Sequence, residues 1–99
     1  MKSKFKHVKY SGHAVNQMFK RQISKDEVRN VIDSGEIIKE YPDDTPYPSK
    51  LMLGFPKDRP LHVVLSHDAE NETRHIITTY LPDPQLWTED FKKRRKGER

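Results

Sequence analysis

The sequence contains no cysteine, which excludes disulfides, thiolate metal sites and thiol nucleophiles, so the fold must hold by packing and hydrogen bonding alone. Its four glycines, Gly12, Gly35, Gly54 and Gly97, are scattered, and no glycine-rich loop is available to cradle a phosphate. No apolar run approaches the length of a membrane span. The opening Met-Lys-Ser-Lys-Phe-Lys-His also lacks the apolar stretch of a secretory signal, so a cytoplasmic protein with no membrane partner is expected. Apolar residues are scarce as well. With 99 residues, 32% hydrophobic and 34% charged, the chain has room for one domain with a thin core, its rim covered by long charged side chains.

The formal charge of +4 hides a strong segregation. Residues 1–29 carry 8 Lys and Arg against 2 acids, residues 30–91 carry 5 against 12, and residues 92–99 carry 6 against 1. Two basic ends around an acidic middle suit a partner with negative charge, such as nucleic acid. The expected organisation is one α+β domain over residues 1–91 and a flexible basic tail over 92–99.

Ser11 can cap a first helix running to Gln22, with Ala14, Val15, Met18 and Phe19 as its apolar stripe. Ser24 and Glu27 form a capping-box pattern for a second helix, which buries Val28, Val31 and Ile32 and stops at Gly35. The hydrophobic period then changes from 3.6 to 2. Strands are expected at Glu36–Tyr41, Lys50–Phe55, Leu61–His67 and Arg74–Leu81, joined by proline-rich or polar loops that favour an antiparallel meander. Lys6–Tyr10 is a weaker edge-strand candidate because of its lysines. After Pro82-Asp83-Pro84 a short C-terminal helix is expected, with Trp87 and Phe91 covering a face or edge of the sheet.

Projected at about 100° per residue, the first helix carries His13, Gln17 and Lys20 opposite its apolar stripe, with Arg21 on the flank. His62 lies within the alternating run Leu61-His62-Val63-Val64-Leu65. A one-residue change of hairpin register decides whether it shares a face with Thr79 or with Thr78 and Tyr80. The five histidines, His7, His13, His62, His67 and His75, follow no zinc spacing, and no nucleophile elbow is visible, so no metal and no cofactor is expected. The remaining kit of His, Arg, Lys, Thr and Tyr is the equipment needed to cleave RNA through its own 2′-hydroxyl. That reaction takes a base, an acid and cations for the charge developing on the phosphate.

The pattern Ser-Gly-His13-Ala14, Arg21-Gln-Ile-Ser24, a capped helix ending at Gly35, Leu61-His62-Val63-Val64 and Ile77-Thr78-Thr79-Tyr80-Leu-Pro82 resembles the family named domain of unknown function 4258 over roughly residues 10–91. Its members look similar to small toxins of the RelE, ParE and BrnT type. That resemblance implies two helices on a roughly four-stranded antiparallel sheet, a metal-independent ribonuclease activity and a cognate antitoxin partner. The site residues to test are then His13, Arg21, His62, Thr78 and Tyr80, with Lys20, Lys50, Lys92, Lys93, Arg94 and Arg95 as RNA-binding cations. Two other readings stand beside it: a non-catalytic RNA- or protein-binding module, and a toxin acting on a protein target.

Overall fold

In the computed structural model, which describes residues 7–95, the chain runs β1 (His7–Tyr10), α1 (Gly12–Arg21), α2 (Lys25–Ser34), β2 (Glu36–Tyr41), β3 (Ser49–Gly54), β4 (Leu61–Asp68) and β5 (Thr73–Tyr80). A single 3-10 turn at Pro56–Asp58 separates β3 from β4. The first six residues, with the expected strand start at Lys6, and the last four of the expected tail lie outside the described residues. No helix among the described residues is long and apolar enough to cross a membrane.

Both helices begin and end where local chemistry dictates. Ser11 Oγ accepts the Ala14 N–H at 2.9 Å, and Gln22 closes α1 in the left-handed conformation at φ 58°. In α2 the capping box is complete: Ser24 Oγ accepts from Glu27 N–H at 3.1 Å, and Glu27 Oε1 accepts from Ser24 N–H at 2.9 Å. The buried Glu27 carboxylate also takes the Arg59 guanidinium at 3.0 Å, which ties α2 to the start of β4. Burial disfavours this charge, but the Ser24 backbone and Arg59 bonds outweigh it and hold Glu27 below the usual carboxylate range. Two glycines let α2 lie against β3. A Cβ on Gly35 would stand 2.5 Å from Val31 O and 2.7 Å from Leu53 O, and one on Gly54 would stand 2.8 Å from Val31 Cγ2.

The sheet corrects the expected architecture. It has five strands in the order β1-β5-β4-β3-β2, and β1 pairs with β5 in parallel, where four antiparallel strands were expected. The meander β2 to β5 is antiparallel. The additional strand is the lysine-bearing segment, and an edge tolerates lysine because one side of the strand has no neighbour to pair with. The α1, α2 and meander residues between the two strands supply the long connection that a parallel pair requires. The C-terminal helix is also absent among the described residues. Leu86 and Trp87 donate to Asp83 O in one turn, Phe91 takes φ 63°, and the chain reverses so that Trp87 pairs with Arg94 in an isolated antiparallel bridge.

Alternation divides the sheet into two faces. Leu61, Val63 and Leu65 of β4, Met52 of β3 and Ile76 of β5 pack against Ala14, Met18, Val28, Val31 and Ile32 of the helices. The first helix contributes a narrower stripe than its sequence suggests, because it lies over β5 and reaches the core only through Ala14 and Met18. Val15 and Phe19 are instead 52% and 85% exposed. The opposite face carries no helix, and the segment after β5 folds back over one end of it.

Candidate functional site

The register of β4 and β5 decides the site. His62 stands opposite Tyr80 and Val64 opposite Thr78, and a bulge at Ile77 restores the pairing of Leu65 with Ile76. His62, Val64, Thr78 and Tyr80 therefore share the helix-free face. Thr79 pairs with Val63 on the other face, where its hydroxyl donates to His62 O at 2.7 Å.

His62 is fully buried on that face beneath the C-terminal segment. Its Nε2 lies 2.8 Å from Phe91 O and its Nδ1 3.2 Å from the Tyr80 hydroxyl, while the Trp87 ring meets the imidazole edge to face at 4.5 Å. A carbonyl can only accept, so Nε2 carries the proton; in the neutral imidazole Nδ1 then accepts from the Tyr80 hydroxyl. Burial pushes its pKa below the ordinary value of 6.5, against the opposing effect of the Phe91 carbonyl. Burial likewise raises the Tyr80 phenol.

Beside this buried dyad an open groove of about 510 Å³ runs between β2 and the returning segment. Tyr41, Tyr80, Val64, Leu51 and Trp87 form its floor and wall, and Lys39, Lys92, Lys93 and Arg94 border it. The Arg94 guanidinium lies 5.5 Å from the Trp87 ring centroid and Lys39 Nζ 5.8 Å from that of Tyr41. Lys92 also pairs with Glu36 at 3.2 Å. Residues 92–95, assigned by composition to the basic tail, are held by backbone bonds: Thr88 N–H donates to Lys93 O and Arg95 N–H to Leu86 O.

The expected site residues are thus divided by the sheet. His62, Thr78 and Tyr80 share the helix-free face, where Tyr80 lines the groove with Lys92, Lys93 and Arg94. His13, Lys20 and Arg21 are exposed on α1, in the helix layer on the other side. A single cleft containing all five expected catalytic residues is not formed. Lys50 lies on the helix-side face of β3, beside Leu65 and His67, and burial lowers its pKa. Arg95 is exposed, with Nε donating to Pro84 O. Sequence reasoning passed over Lys39 and Tyr41, whose two-residue spacing on β2 was the available signal. Trp87 covers the sheet, as its burial tendency suggests. Among the described residues no group of three or more His, Asp or Glu side chains is placed to hold a metal ion.

No curated protein and no solved structure matches the chain. Residues 10–81 match the family described as Domain of unknown function (DUF4258). That stretch runs from the end of β1 to the residue after β5, so it contains His62, Thr78 and Tyr80 but excludes the segment that covers His62 and supplies three of the groove's four cations. By that match over most of its length, the chain belongs to the family of domain of unknown function 4258.

Proposed function

We propose that the protein is a single-stranded RNA-binding module whose ligand lies on the helix-free face of the sheet. One observation carries this reading: four cationic side chains, Lys39, Lys92, Lys93 and Arg94, border a groove floored by Tyr41 and Tyr80. Cations beside aromatic rings suit a flexible polyanion that can turn its bases inward to stack. Fluorescence anisotropy with a labelled oligoribonucleotide tests it. Four phosphate contacts give a salt slope of about −3 on a log–log plot. Lys93→Glu with Arg94→Glu should abolish the slope and most of the affinity. Unchanged binding in this double variant would overturn the proposal.

A metal-independent ribonuclease is the second reading, favoured by the Tyr80 hydroxyl bonded to His62 Nδ1 at the groove wall. In this reaction the 2′-hydroxyl proton passes to the Tyr80 oxygen as Tyr80 hands its own proton to His62. The 2′ oxygen attacks phosphorus and the bond to the 5′ oxygen breaks. The products are a 2′,3′-cyclic phosphate and a 5′-hydroxyl whose proton comes from solvent. Scission in EDTA that Tyr80→Phe removes while binding persists supports this reading. RNA left intact by the unaltered protein retires it and leaves the binding module.

A further inference from the structure

The helix-free face continues beyond the groove. Ser66 lies four residues along β4 from His62, about 13 Å at 3.3 Å per residue, and Ser49 stands opposite it on β3. Here a second pocket, of about 350 Å³, is lined by Asp44, Thr45, Tyr47, Ser49, Ser66 and His75 among others. Its chemistry is the reverse of the groove's. No Lys or Arg is among the described residues that line it, whereas a carboxylate and several hydroxyls are.

Two features make this a recognition pocket for a flat group rich in N–H donors. The Tyr47 and His75 rings are stacked, 5.8 Å apart and inclined by only 6°, and both keep part of their surface open. The platform is held in place, because the Tyr47 hydroxyl bonds the buried Asp68, which raises the Tyr47 pKa, and Asp68 in turn takes the Asn71 side chain at 2.7 Å. At the rim the Asp44 carboxylate is braced through Oδ2 by the Ser49 hydroxyl. A carboxylate repels phosphate and accepts N–H groups. Among the common nucleobases, guanine presents two adjacent donors on one edge, N1–H and the 2-amino group, and so matches a carboxylate.

We propose that the Tyr47–His75 pocket is a guanine subsite. A strand whose phosphates lie at Lys39, Lys92, Lys93 and Arg94 extends along β4 and places a guanine on the Tyr47–His75 stack, where Asp44 accepts from its N1–H and 2-amino groups. This assignment rests on the RNA-binding reading. It adds a base preference to a groove whose cations are indifferent to sequence.

The experiment compares short oligoribonucleotides that differ at one base, guanosine, inosine or adenosine, by fluorescence anisotropy on the full chain. A bidentate contact is worth about 1–3 kcal/mol, so guanosine should bind about 5- to 150-fold more tightly than adenosine, with inosine, which lacks the 2-amino group, between them. Asp44→Asn should bring the guanosine-to-adenosine ratio close to one, and Tyr47→Ala should weaken the guanosine strand by about tenfold through lost stacking. Val15→Ser, on the outer side of α1, should leave the ratio unchanged. The ratio is a difference within one variant, so it reports recognition even if a variant is less stable. Equal binding of the three strands, with Lys93→Glu still weakening them all, overturns the guanine subsite alone. Affinities that Lys93→Glu and Arg94→Glu leave unchanged overturn the RNA reading beneath it. Saturable binding of an arginine-containing peptide that Asp44→Asn removes and the oligonucleotide does not displace assigns the pocket to a guanidinium, and also overturns the proposal.

Discussion

The two faces of the sheet are built by alternation from the same strands, yet one is packed under both helices and the other carries none. On the helix side, Val63 and Leu65 are fully buried against Val28 and Val31, with the Glu27–Arg59 pair as an ionic tie at its edge. On the open side the same strand offers His62, Val64 and Ser66, and polar chemistry of opposite sign lies at the two ends. The comparison teaches where substitutions are read: side chains on the first face register in stability, and the exposed ones on the second, outside the buried His62, in binding.

The sharpest way to break the contrast is Leu65→Ala. The residue is fully buried, so the loss should be about 2–5 kcal/mol, measured by urea unfolding, whereas Thr78→Ala on the other side of the sheet should stay within about 0.5 kcal/mol. Similar losses for both would mean that the open face is a second core. Ser24→Ala removes one half of the capping box and should cost about 1 kcal/mol without moving RNA affinity. A change in affinity there would couple the helix layer to the groove.

The smallest effect is the pH dependence. Burial holds the folded His62 below 6.5, so as the pH falls through 6.5 the unfolded chain takes up its proton ahead of the folded one. Its stabilising contribution is full above 6.5 and is lost as the pH falls towards the folded value. His67, lowered by burial and by Lys50 and Arg74, acts in the same direction. The acids held low, such as Glu27 and Asp68, lose their stabilising contribution only at more acidic pH. His62→Gln should therefore flatten the decline in unfolding free energy over pH 7–5 without removing it. An unchanged decline would place the whole dependence on other groups.

Much of the helix layer was legible because its signals are local. Ser11, Ser24, Glu27 and Gly35 each act within a few residues, and the structure places the caps where the spacing puts them. Strand β2 has the expected bounds, and the others begin or end within a residue or two of them. What was missed is non-local. The value of His7–Tyr10 as a strand depends on an edge of β5 some 66 residues later in the sequence. The absence of the C-terminal helix depends on Trp87 finding His62 and on the reversal at Phe91, neither of which Pro82-Asp83-Pro84 announces.

The site divides along the same line. His62, Thr78 and Tyr80 are recognisable as chemical residue types, but their common face required the Ile77 bulge and the pairing of His62 with Tyr80. His13 and Arg21 lie in the same family-matched stretch, and the helix that carries them packs on the other side of the sheet.

Sequence by itself determined that the fold is made without cysteine, that two capped helices precede an antiparallel meander, and that positive charge is concentrated at the ends. These are properties of composition and short-range periodicity, which a chain carries before it folds. Tertiary structure alone decided that β1 closes the sheet in parallel, that residues 82–95 return to bury His62, and that a basic groove and an acidic pocket share one face. Each depends on register and on contacts between segments far apart in the chain, where a one-residue slip would turn every side chain to the opposite side.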